Sequence, residues 1–184
     1  MNFNNSKVHF DQISYCKVKI SFNHGLLQFQ MDGATYKSKT TFSGGGVARN
    51  IAEGLCKLYG SAALISAFGV DQNGSYLKST LPAEATVSST TINTHPTANC
   101  AVVLDNSGDC KLVVGDMSIH QEITPDLIYK NAALIEKCPL IVLDANLSYE
   151  ALEAALKLAH KYKKPGELFE LFLKIFFIYL FIFS

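Results

Sequence analysis

No electrostatic footprint for nucleic acid is present in the 184 residues: sixteen Lys and Arg balance sixteen Asp and Glu, without any basic block. There is no CxxC pair either. The five cysteines, Cys16, Cys56, Cys100, Cys110 and Cys138, are odd in number and widely spaced, which points to reduced core thiols over a disulfide framework. No apolar run follows Met1, so the amino terminus predicts no secretory signal and the chain reads as cytoplasmic. In that compartment the Asn-x-Ser/Thr triplets at Asn4, Asn73 and Asn146 are chance matches. HExxH, a GxxxxGK[ST] phosphate loop, a Ser–His–Asp arrangement and a metal-spaced Cys/His set are all missing, and His95 and His120 stand alone. What remains is an apolar content of 48%, enough for one globular domain with a proper core.

The most informative stretch is SGGGVARNIAEGLCKL at 43–58, a glycine run feeding a helix. Gly44, Gly45 and Gly46 have access to backbone angles closed to other residues and place no side chain between main chain and ligand. Val47, Ile51, Leu55 and Leu58 recur at helical spacing, with Ala48 and Ala52 beside them for close packing. The first turn then presents unpaired N–H groups and the Asn50 amide to whatever occupies the bend. Arg49, next to it, reads as a solvated helix side chain in preference to a phosphate ligand.

Along the chain, CKVKISF at 16–22 alternates like a strand, but residues 1–30 form no clear unit. From Met31 the order is an extended piece ATYKSKTTF, the glycine turn and helix, a buried strand AALISAF at 62–68, turn residues GVDQNG at 69–74, and a short helix SYLKSTL. Alternation of strand and helix predicts a parallel sheet with helices on its faces. NCAVVL at 99–104 and CKLVVG at 110–115, joined by DNSGD, read as a hairpin. Thr124, Pro125 and Asp126 open a helix running to Lys137, Pro139 stops it, and LIVLD at 140–144 is a second buried strand. Ser148 caps a last helix with Leu152, Leu156 and Ala159 on one face. Asp144 and Asn146 thus fall just past the carboxyl end of a central strand, the edge where open parallel sheets bind ligands.

After Pro165 the composition changes. Between Leu171 and Phe183 every residue except Lys174 is apolar or aromatic, with no period. As a helix this run would reach only about 20 Å, short of the roughly 30 Å hydrocarbon core, so a membrane span is not expected. The alternative is an aggregation-prone appendage.

In the order DGATYKSKTTFSGGGVARNIAEGLCKL, AALISAFGVDQNG, PTANCAVVLDNSGD and IVLDANLS, residues 31–165 resemble the amino-terminal half of a ribokinase-type (PfkB) carbohydrate kinase. DGATY with GGVARNIAE is most similar to the pseudouridine kinase branch. The resemblance implies an α/β three-layer sandwich, truncated, with a small β lid drawn from 34–42 and 97–104 and followed at 166–184 by an apolar tail foreign to the family. It implies ATP-dependent phosphorylation of a sugar or nucleoside, with Mg²⁺ bridging the nucleotide. Gly45, Gly46 and Asn50 match the positions that hold ribose hydroxyls, and Asp144 or Asn146 stands near another sugar contact. An amide that both donates and accepts suits a hydroxyl-rich ligand. For Asn50 the competing role is a structural helix hydrogen bond, and for Asp144 a strand-end turn acid.

There are departures. Tyr59 occupies a spot where the family signature expects Gly or Ser, with Gly60 one place later. The glycine-containing first strand that delivers a sugar-binding Asp has no convincing match before Met31: NHGLLQFQ is the nearest, and Asp32 belongs to DGATY. The family's DTxGAGD motif, source of its base and anion hole, occurs nowhere in the chain. ATP and Mg²⁺ are therefore not expected to bind well, and transfer is not expected from this polypeptide. Two other readings stand beside the kinase: a non-catalytic sugar-binding or dimerising module, with the lid strands as the surface for a homodimer, and a tail-anchored membrane protein.

Overall fold

The computed structural model describes residues 7–10, 15–22, 38–105, 107–144, 146–164, 169–173 and 176–180. A parallel sheet sets the frame: β1 (Lys7–Phe10) lies between β4 (Ala62–Ile65) and β9 (Ile141–Leu143), with Phe10 opposite both Ile65 and Leu143. The sequence AALI of β4 is buried on both faces, as a parallel strand covered by helices requires. Ala63 and Ile65 pack with Ile128, Ile135, Leu143 and Ala155. Ala62 and Leu64 face the other way, onto Ala48, Ala52, Phe68 and Leu77. The first layer comes from α4 (Pro125–Lys130), α5 (Ala132–Lys137) and α6 (Tyr149–Lys161), the second from α1 (Val47–Tyr59), α2 (Gln72–Ser79) and α3 (Ala83–Thr86). This is the three-layer sandwich that the alternation of strand and helix predicts.

The lid is a separate sheet. β2 (Tyr15–Phe22) pairs antiparallel with β3 (Ser38–Gly45) and parallel with β7 (Asn99–Leu104), and β8 (Cys110–Asp116) closes the order β3-β2-β7-β8 through the expected hairpin. At the hairpin tip Gly108 takes φ 87°. The Asp105 carboxylate accepts from the N–H groups of Ser107 and Asp109 there. Both strand segments that the resemblance assigns to a lid contribute to this sheet, although residues 34–37 are outside the described ones and Thr97 and Ala98 precede β7. The unassigned amino-terminal stretch supplies the central strand of the first sheet and a middle strand of the second.

Several local expectations are corrected. AALISAF is two strands, β4 and β5 (Ala67–Gly69), and β5 pairs with β6 (Thr90–Ile92) in a sheet of its own. The break is at Ser66, whose N–H donates to Ser89 Oγ while the Ser89 hydroxyl donates to Leu64 O. GVDQNG does not precede a helix but begins one: Asp71 caps α2, accepting from Gly74 N–H at 2.7 Å. The helix from 124 to 137 is interrupted at Asn131, whose Nδ2 donates to Leu127 O and Ser88 O. In α1 the face turned inward carries Ala48, Arg49 and Ala52, whereas Val47 and Leu58 are exposed. α6 likewise buries Ala151, Ala154, Ala155, Leu158 and Ala159, with Leu152 and Leu156 at the margin. Small side chains let these helices approach the sheet closely. Helix α1 runs on through Tyr59 and ends at Gly60, whose φ of 80° is the left-handed cap.

In the apolar tail, β10 (Phe169–Leu173) and β11 (Phe176–Leu180) form an antiparallel pair, not a helix. Among the described residues no helix is long and apolar enough to cross a membrane.

Candidate functional site

The bend between β3 and α1 is built on Gly46, which has φ 102° and ψ 126°, a region closed to other residues at little strain. Gly45 and Gly46 are buried, and Asn50 is exposed one turn into the helix. The glycine run does not leave uniformly open backbone. A Cβ on Gly44 would stand 3.2 Å from Leu77 Cδ2 and 3.5 Å from Arg49 Cζ, so this residue makes room for α2 and for Arg49.

Arg49 is not the solvated side chain expected of it. Its side chain is 6% exposed. Nε donates to Gly45 O at 3.0 Å, Nη1 to Thr80 Oγ1 at 2.9 Å, and Nη2 to Asn50 Oδ1 at 2.5 Å. Glu53 Oε2 lies 3.1 Å from Nη2 and supplies the counter-charge that a buried guanidinium needs. A hydrogen bond from Lys57 is the main cause that lowers the Glu53 carboxyl below its usual value; burial opposes it and Arg49 assists. One side chain thus ties together the glycine bend, the Asn50 amide and the end of α2.

A second node joins β5, α2 and the entry to lid strand β7. Asp71 Oδ1 accepts from Gly74 N–H and from the Thr97 hydroxyl, each at 2.7 Å, and Oδ2 accepts from Thr97 N–H at 2.7 Å. Thr97 Oγ1 in turn accepts from Gly69 N–H at 2.9 Å. Burial alone would raise the Asp71 carboxyl, but these donors outweigh it and hold it below its ordinary value. The sequence carried no sign of this pairing, because Asp71 and Thr97 are 26 residues apart.

His95 and His120 are also corrected. His95 Nδ1 is 3.0 Å from Glu122 Oε1 and its Nε2 is 2.6 Å from Gln121 Nε2, so it belongs to a polar group with the 3₁₀ helix Ser118–Glu122. His120, in that same helix, has a buried Nε2 with no partner among the described residues, and burial lowers its pKa to about 4.

Asp144 follows β9 and is 2% exposed. Its Oδ1 accepts from Asn146 N–H at 3.0 Å and from Asn146 Nδ2 at 2.7 Å, whereas Oδ2 has no partner among the described residues. Burial pushes the carboxyl above its usual value, with the Asn146 donors opposing. Asn146 is thus held by Asp144.

Topology relates the two groups. Since β1, β4 and β9 are parallel and α1 runs back into β4, the amino end of α1 lies at the edge to which these strands point their carboxyl ends. Gly45, Gly46 and Asn50 stand together at that edge on one side, Asp144 and Asn146 together on the other, with no hydrogen bond between the groups among the described residues. The residue after β1 in the sequence is Asp11, which lies outside the described residues, as do Asp32 and NHGLLQFQ. No group of three His, Cys, Asp or Glu able to hold a metal ion occurs among the described residues.

A three-layer α/β sandwich whose lid strand runs directly into a glycine bend and helix defines the ribokinase-type sugar-kinase fold. The model of the pfkB family carbohydrate kinases matches residues 16–172, and the chain belongs to that family. It is 36% identical over 116 residues to a pseudouridine kinase of Escherichia coli (strain K12), a match covering 62% of this chain and 37% of that protein. To a pseudouridine kinase of Arabidopsis thaliana it is 31% identical over 138 residues, covering 73% and 36% respectively. The solved structure of Arabidopsis thaliana ribokinase complexed with ribose and ATP superposes with a TM-score of 0.75 at 14% identity, covering 88% of this chain and 52% of that one. The chain therefore spans little more than a third of the curated relatives' length and about half of that structure.

Proposed function

We propose that this chain forms the acceptor-binding half of a PfkB-type kinase site and takes a sugar or nucleoside, with pseudouridine the first candidate. The observation that carries the reading is the exposed Asn50 amide standing over the Gly45–Gly46 bend at the carboxyl edge of the parallel sheet. An amide beside backbone N–H groups suits a ligand rich in hydroxyls. Asp144 offers a second contact from the same edge, its Oδ2, buried and without a partner among the described residues, being an acceptor for a hydroxyl proton. The two pseudouridine kinase relatives favour a ribosyl ligand.

Kinases of this family take the phosphoryl group from ATP with Mg²⁺, which neutralises the charge that develops during transfer. The DTxGAGD motif that supplies base and anion hole in the family does not occur in these 184 residues. The role assigned to these residues is binding and orienting the acceptor, in the cytoplasm, with transfer not expected from this polypeptide. A second copy of the chain is placed against β8, which exposes Val113 and Val114. Sedimentation velocity tests that part, a monomer at every concentration reached being the contrary result.

Calorimetric titration with pseudouridine tests the main reading. Asn50→Ala removes one hydrogen bond and is expected to weaken binding roughly tenfold, about 1.4 kcal/mol. Equal heats for both proteins would refute the site, and phosphate transfer from ATP to pseudouridine by the chain alone would refute the division of labour.

A further inference from the structure

The exposed amide of Asn50 has one end already committed. A guanidinium carries donors only, so the atom that faces Arg49 Nη2 at 2.5 Å is the amide oxygen and not its nitrogen. Arg49 is itself fixed by Gly45 O, Thr80 Oγ1 and Glu53. Helical side chains lean toward the amino end of their helix, which sets the Asn50 side chain over the Gly46 bend. Its Nδ2, on the other branch of the planar amide, makes no hydrogen bond among the described residues, and Asn50 is exposed.

We infer that Arg49 is a positioning residue that fixes the polarity of the substrate contact: it locks the Asn50 amide with its donor end toward the ligand, so the ligand atom received there is an acceptor. This rests on the reading of Asn50 as a substrate contact. A freely turning amide would serve either polarity. A locked one donates to the lone pair of a hydroxyl oxygen or of a carbonyl, and rejects an N–H in that place, because two donors facing each other leave both unpaired. The hydroxyl's own proton must then go to a different acceptor.

Asn50→Asp separates this from a merely structural role, since it keeps an acceptor for Arg49, now charged, and removes the donor. Wild type, Asn50→Asp, Asn50→Ala, Arg49→Lys and the Arg49→Lys/Asn50→Ala double variant are titrated with pseudouridine and melted without ligand. Asn50→Asp is expected to melt no lower than wild type and yet to bind roughly tenfold more weakly, like Asn50→Ala. Arg49→Lys keeps the charge and loses the fork, so it weakens binding, and the double variant binds no worse than Asn50→Ala alone. Wild-type affinity in Asn50→Asp would overturn the inference, because the carbonyl end would then meet the ligand. A lower melting temperature in Asn50→Asp would also overturn it, because Arg49 would not be holding the oxygen. Wild type failing to bind, or Asn50→Ala binding like wild type, refutes the substrate reading instead, and the melting comparison still decides whether Arg49 holds the amide.

Discussion

Helix propensity and packing make opposite predictions for alanine at Gly74, and the structure gives the size of each. In the first turn of α2, alanine would ordinarily favour the helix by up to about 1 kcal/mol. Here its Cβ would stand 2.4 Å from Gly69 O and 2.8 Å from Thr97 Oγ1, and the first of these is backbone that does not swing aside. To regain ordinary contact, α2 must withdraw by about an ångström, which disturbs the Asp71 cap and the hydrogen bonds of the buried Thr97. Losing a cap costs about 1 kcal/mol and leaving a buried polar group unpaired about 1–3 kcal/mol, so after the propensity gain the net expectation for Gly74→Ala is a loss of about 1–3 kcal/mol. For a chain of this length that corresponds to a fall in Tm of about 6 °C. Gly54 is the internal control: it lies within α1 with nothing inside 4 Å of an added Cβ. Gly54→Ala should therefore gain about 0.5–1 kcal/mol. Urea unfolding followed by circular dichroism reads both. If Gly74→Ala is as stable as wild type, the Gly69–Asp71–Thr97 node is not as tightly packed as described and the reasoning fails.

Two pH effects follow from the buried groups, with opposite signs. His120 has its folded pKa lowered to about 4 by burial, so its contribution is fully present above the unfolded value and is lost as pH falls through the folded one. Between pH 7.5 and 5 that amounts to about 2 kcal/mol, and His120→Gln should flatten the loss in a series of urea melts; an unchanged slope would refute it. Asp144 has its folded pKa raised, so stability is greatest below the unfolded value near 3.8 and declines as pH rises through the folded value. Asp144→Asn, which keeps the acceptor for Asn146, should raise stability at pH 7 by about 1 kcal/mol and lose that advantage in acid. A variant less stable than wild type at pH 7 would show that the carboxylate is not isolated.

The layers were legible because β4 and β9 are runs of apolar residues and their helices carry conventional caps at Thr124 and Ser148. β1 was not legible: it is four residues long, and its partners Ala62–Ile65 and Ile141–Leu143 lie far along the chain, so no local pattern marks it. Periodicity also misplaced the inner face of α1. A reading weighted by hydrophobicity chooses Val47 and Leu58, while close approach of helix to sheet selects Ala48 and Ala52, and position 49 turns inward with them. An arginine on that face is tolerable only if acceptors await it, and Thr80, Gly45 and Glu53 become neighbours only in the folded chain. Asp144 departs from the local rules in the same way, a buried acid whose Oδ2 has no partner among the described residues. Natural chains keep such departures where function requires them. Two such residues at one edge of a parallel sheet, one of them holding an exposed amide beside a glycine bend, are the departures on which the proposed acceptor site rests, and a mere closing turn would require neither of them.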